Sequence, residues 1–95
     1  MMLRRTVHFA GRVQGVGFRY TVARLAEQHA VAGYVQNLPD GQVRLVMEGE
    51  QEAQDTLLKD IRRHFARHIA AEQQEESPAT GEFGAAAPGA LSIRH

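Results

Sequence analysis

The chain has 95 residues and no cysteine, and its eleven basic and eleven acidic side chains balance to a formal net charge of zero. These numbers exclude disulfides, thiol catalysis and thiolate metal sites, and they argue against a general polyanion binder, which carries a basic excess. One domain over residues 1–95 is expected, with a thin core, in the cytoplasm and without a membrane partner, since no apolar run reaches the length of a signal peptide or a membrane span.

Residues 5–10 alternate, with Val7 and Phe9 on one face and Thr6, His8 and Ala10 on the other, and predict a strand. A loop with three glycines follows, "GRVQGVG". Phe18, Val22, Leu25, Ala26 and His29 then recur at helical spacing, which predicts a helix over 18–30. A second strand is expected near Tyr34 and Val35. "NLPDG" is a turn, because Pro39 presets φ, Asp40 can bond the local backbone and Gly41 accepts a positive φ. "QVRLVME" alternates with Val43, Leu45 and Met47 on one face, completing a hairpin. Ala53, Leu57, Leu58, Ile61 and Phe65 mark a second helix, acidic at its start (Glu50, Glu52) and basic at its end (Arg62, Arg63, Arg67), as the helix dipole favours. "HIAAEQQEES" is polar for the strand that the order of elements requires there. "PATGEFGAAAPGA" reads as loop, and "LSIRH" as a short last strand.

The order β-α-β-β-α-β is that of an α+β, ferredoxin-like two-layer sandwich: an antiparallel sheet with two helices on one face and a short fifth strand at the C-terminus. In that topology strand three lies between strands one and two. The glycine loop and "NLPDG" therefore share one end of the sheet, across a gap of roughly 10 Å, two strand spacings.

The residues ahead of the first helix are Gln14, Gly15, Val16, Gly17 and Phe18, none a standard capping side chain. Successive N–H groups in such a loop can turn into a concavity that binds phosphate oxygens. Arg19 follows at once. A cation in a first helical turn is unfavourable by about 0.3–1 kcal/mol, and an anion held between it and the N–H groups reverses that sign. Glycines that serve only a tight turn and close helix packing give the same spacing, so spacing alone leaves a ligand site and a structural loop as equal alternatives. The pattern is neither a Walker loop nor the dinucleotide fingerprint. Asn37 is the second candidate. Capping of local backbone is the simpler reading of an asparagine before a turn, but the topology puts it at the same end as the loop.

Other groups attract blander readings. His64 and His68 have a spacing that can hold zinc, yet no third ligand is evident and a basic helix end accounts for them. His8 and His29 read as strand-face and helix-face residues. Glu72, Glu75 and Glu76 read as a solvated surface, and Asp40 as a turn residue.

"GRVQGVGFR" followed by "GYVQNLPDGQVRLVMEG" resembles the acylphosphatase family. The resemblance runs from about residue 5 to Phe65, and "TGEFG" with the final "SIR" extends it. It implies a single acylphosphatase-like domain over residues 1–95, a cytosolic enzyme with this same sandwich. It implies hydrolysis of the carboxyl–phosphate bond of small-molecule acyl phosphates to a carboxylate and inorganic phosphate, without metal or cofactor. The family's catalytic arginine falls on Arg19, its catalytic asparagine on Asn37, and its phosphate-binding loop on Gln14, Gly15, Val16, Gly17 and Phe18, continuing to Arg19. A monomer with no nucleic-acid partner is expected. The chain departs from the family in the polar "HIAAEQQEES", the inserted "AAAPGA" and Leu91, where an aromatic is usual. Three rivals remain: an RNA-binding module, for which aromatics are few and net positive charge is lacking; a domain of a larger carbamoyl-transfer enzyme, for which 95 residues leave no room; and a non-catalytic phosphate binder, against which Arg19 and Asn37 speak.

Overall fold

A computed structural model describes residues 1–95. The elements are β1 (Met2–Gly11), α1 (Phe18–Ala26), β2 (Val31–Asn37), β3 (Val43–Glu50), α2 (Gln51–His64), β4 (Ile69–Pro78) and β5 (Ala90–Arg94). They form one five-stranded sheet in the order β4-β1-β3-β2-β5. The four long strands pair antiparallel, and β5 joins β2 in parallel. The fold is the expected α+β ferredoxin-like sandwich. No helix is long and apolar enough to cross a membrane.

The alternation in β1 and β3 decides which face is covered. Val7 and Phe9 of β1 and Val43, Leu45 and Met47 of β3 are fully buried against Phe18 and Val22 of α1 and Leu57, Leu58 and Ile61 of α2. Both helices thus lie on one face. Phe18 is the first residue of α1, and its ring lies 5.2 Å from Phe9 and 4.5 Å from Phe65. That aromatic contact fixes where α1 begins, and hence where Arg19 stands.

The helix α1 stops at Ala26 rather than at residue 30. The N–H groups of Glu27, Gln28 and His29 reach back only three residues, to Arg24, Leu25 and Ala26, the tighter bonding that closes a helix end. His29 is then free to pair with Asp60 of α2 at 2.9 Å.

The polar β4 is a complete strand. It pairs with β1 from Leu3 to Gly11, with a register shift at Ala10/Gly11. It is an outer strand, so the polarity that weakens its signal also guards an open edge. Glu72 takes two hydrogen bonds from Arg62, at 2.6 and 3.0 Å, and Glu76 lies 3.5 Å from the buried Arg5.

The second face of the sheet is partly covered by residues 79–89. Their anchor is Glu48, 3 % exposed on β3. Its carboxylate accepts from Thr80 N (2.9 Å), Thr80 Oγ1 (2.8 Å), Gly81 N (2.9 Å) and Arg4 (3.4 Å). Burial alone raises a carboxyl pKa, but here these hydrogen bonds outweigh it and hold Glu48 below its ordinary value. Arg4 also bonds Glu82, the main reason its own pKa is raised. Phe83 packs its edge against Tyr34 at 5.9 Å, and the Arg94 guanidinium lies 3.7 Å from the Tyr34 ring centre. The aromatic on this face is therefore covered, unlike the exposed rings on which an RNA-binding sheet stacks its bases.

Candidate active site

The register sets the site's position. Phe9 and Asn37 both pair with Val43, so the end of β1 and the end of β2 lie in one row across the sheet. The loop after β1 therefore opens beside Asn37.

Within that loop Gly15 and Gly17 have φ of +78° and +77°. A Cβ at either position meets no atom within 4 Å. Left-handed backbone, not crowding, requires glycine here, and the space beside it is open. Gly17 is the N-cap of α1, no side chain bonds the cap, and no acidic residue lies in the first turn. The first helical bond runs from Thr21 N to Gly17 O at 3.0 Å, so the N–H groups before Thr21 lie outside the helical ladder.

The residues that carry these groups help line a pocket of about 120 Å³, whose walls are Val13, Gly15, Gly17, Phe18, Arg19, Tyr20 and Asn37. The structure thus brings Arg19 and Asn37 to one cavity with the loop. Gln14 and Val16 are not among its walls. The Gln14 amide instead donates to Leu38 O and Gln42 O, both at 2.8 Å, and ties the loop to the β2–β3 turn.

That turn needs nothing from Asn37. It is closed by Leu38 N to Gln42 O (2.8 Å), Gly41 N to Leu38 O (3.1 Å) and Gln42 N to Asp40 Oδ1 (3.0 Å). Asp40 is the turn's capping residue. Asn37 Oδ1 is buried and has no partner in the protein, an arrangement that costs about 1–3 kcal/mol. Asn37 itself lines the pocket, so the turn leaves its side chain without a structural role there.

Arg19 is held from the far end of the chain. Its Nη1 donates to the main-chain oxygen of Arg94 at 2.9 Å and lies 3.4 Å from His95 Nδ1. Sequence reasoning missed this contact, because a main-chain acceptor leaves no mark in the sequence. His64 and His68 pack their rings against Phe65, at 4.8 and 5.7 Å.

A family model of acylphosphatases matches residues 5–84. The chain belongs to the acylphosphatase family. It is 46 % identical over 84 residues to the acylphosphatase of Methylococcus capsulatus, covering 86 % of this chain and 90 % of that one. The crystal structure of the acylphosphatase from Bacillus subtilis superposes over the whole of both chains with a TM-score of 0.78 at 29 % identity. The chain also resembles a segment of HypF from T. kodakarensis, with a TM-score of 0.76 at 30 % identity over 96 % of this chain and 12 % of that one. The acylphosphatase fold thus occurs both as a whole chain and as part of a larger one.

Proposed function

We propose that this chain hydrolyses the carboxyl–phosphate bond of small-molecule acyl phosphates to a carboxylate and inorganic phosphate, without a metal or other cofactor. The observation that carries this reading is the convergence of an uncapped helix start, Arg19 and Asn37 on one small pocket.

The backbone of Gly15, Gly17 and Phe18 and the N–H groups opening α1 hold phosphate oxygens, Gln14 and Val16 completing the loop from outside the pocket's walls, and the Arg19 guanidinium matches two of those oxygens with its planar fork. The same donors favour the charge that develops on those oxygens during transfer. The Asn37 side-chain amide hydrogen-bonds the attacking water and sets it in line with phosphorus. The water oxygen bonds to phosphorus as the bond from phosphorus to the acyl oxygen breaks. The electron pair leaves with the carboxylate, and the water's proton passes to a phosphate oxygen.

This chemistry asks little of the protein. A carboxylate whose conjugate acid has a pKa of roughly 4 departs without a general acid, and phosphoryl transfer depends on positioning and charge stabilisation. An amide is not a strong base, which is why the proton is assigned to phosphate. The test is hydrolysis of benzoyl phosphate by the purified protein in the presence of a chelator. Turnover is expected; its absence leaves a phosphate-binding module in its place.

A further inference from the structure

Tyr34 lies on the sheet face away from the helices, beside Val35 of the core, yet it is only 7 % exposed. Phe83 packs its edge against one part of the ring at 5.9 Å, and the Arg94 guanidinium lies 3.7 Å from the ring centre. That distance is a stacking contact, which the planar guanidinium favours. Arg44 approaches the same ring at 5.8 Å, but its Nη2 is held by Gln36 Oε1 at 3.1 Å.

Arg94 is the last residue of a five-residue strand at the edge of the sheet. Chain ends of this kind fray unless something ties them down. In the register Arg94 stands beside Gln36, and its side chain turns to Tyr34, two residues back on the same face of β2. The stack is thus a tie at the end of β5. The main-chain oxygen of the same residue accepts from Arg19 Nη1 at 2.9 Å. That bond takes one guanidinium N–H and leaves the others free. Where the oxygen stands therefore sets how the rest of the fork is aimed.

We propose that Tyr34 is a positioning residue for Arg19: its ring clamps the Arg94 guanidinium, and the clamp holds the Arg94 main-chain oxygen where it orients the Arg19 fork toward the pocket. Tyr34 is not one of the pocket's walls and acts from the other face of the sheet. Residues 79–89 support it, since Phe83 backs the ring and Glu48 anchors that segment. The proposal rests on the assignment of Arg19 to phosphate and adds the device that aims it.

The experiment measures the dissociation constant for inorganic phosphate, well below the melting temperature, in the parent, Tyr34→Leu, Tyr34→Phe, Arg94→Ala and the double variant of Tyr34→Leu with Arg94→Ala. Turnover of benzoyl phosphate is followed alongside. Tyr34→Leu leaves every charge in place and is expected to raise the constant about two- to fivefold, the factor an exposed cation–π contact is worth. Tyr34→Phe keeps the ring face and should match the parent. Arg94→Ala should show the same loss and keep it in about 0.5 M salt, where the loss of a distant charge is screened. In that background Tyr34→Leu should add nothing, because the ring then has nothing to clamp. A ring that serves stability alone lowers the melting temperature with phosphate affinity unchanged, or adds its loss to that of Arg94→Ala, and either result overturns the clamp. Should Tyr34→Leu fail to fold, the exposed Arg94→Ala still decides, since parent affinity there overturns the clamp too. A parent that binds phosphate without hydrolysing benzoyl phosphate overturns the hydrolytic reading alone, and one that binds no phosphate overturns both.

Discussion

The Arg19 guanidinium donates to the main-chain oxygen of Arg94 at 2.9 Å. The first turn of the first helix is thereby steadied by the last strand, which reaches it because β5 lies parallel to β2 at the edge of the sheet. Removing Arg94 and His95 takes away the acceptor while leaving the buried Leu91 in place. The expected result is a fall in turnover of about tenfold, since misplacement of a catalytic group by about 1 Å can cost as much as a hundredfold. Thermal stability should fall only modestly, by about the 0.5–1 kcal/mol of the exposed cation–π contact between Arg94 and Tyr34. Kinetics and melting of the shortened chain check this together.

Arg19→Gln should abolish phosphate binding and turnover together. The guanidinium is assigned both to hold the phosphate and to favour the transition-state charge, so no split between the two is expected. Titration with inorganic phosphate and a benzoyl phosphate assay measure the two losses. A variant that binds phosphate as the parent does contradicts the assignment.

Glu48→Gln tests the anchor of residues 79–89. The folded carboxyl lies below its ordinary value, which for glutamate is about 4.3. Its contribution is therefore present above that pH and lost as the pH falls through the folded value. The variant should be less stable than the parent by on the order of 2 kcal/mol at neutral pH, because three close hydrogen bonds to a charged, buried acceptor are weakened. The gap should close in acid, where the parent's carboxyl is also neutral. Unfolding curves at pH 7 and in acid measure it, and a gap independent of pH counts against the charged anchor.

The sandwich was legible because its covered face repeats with two clear periods. Val43, Leu45 and Met47 alternate, and Leu57, Leu58 and Ile61 recur at helical spacing, and all are buried in one core. The site was legible in part. Gly17 and Arg19 break the usual rules for a helix start, and topology alone brought Asn37 to the same end. Glu48 was not legible, since it lies on the face opposite Val43, Leu45 and Met47 and only the return of residues 79–89 buries it. The same segment has no periodicity to read. The role of Arg94 was hidden because its main-chain oxygen, not its side chain, meets Arg19. The Gln14 tie to Leu38 and Gln42 was hidden for a similar reason, since main-chain acceptors carry no residue signature.

The central claim is that Asn37 places water while Arg19 and the loop bind phosphate. Asn37→Ala separates the two roles. It removes a buried oxygen that no protein group satisfies, so the fold should tolerate it. The direct measurement is turnover of benzoyl phosphate by this variant, beside its affinity for inorganic phosphate. The account predicts near-parent phosphate affinity with kcat reduced by about a hundredfold or more. Hydrolysis at the parent rate would contradict it.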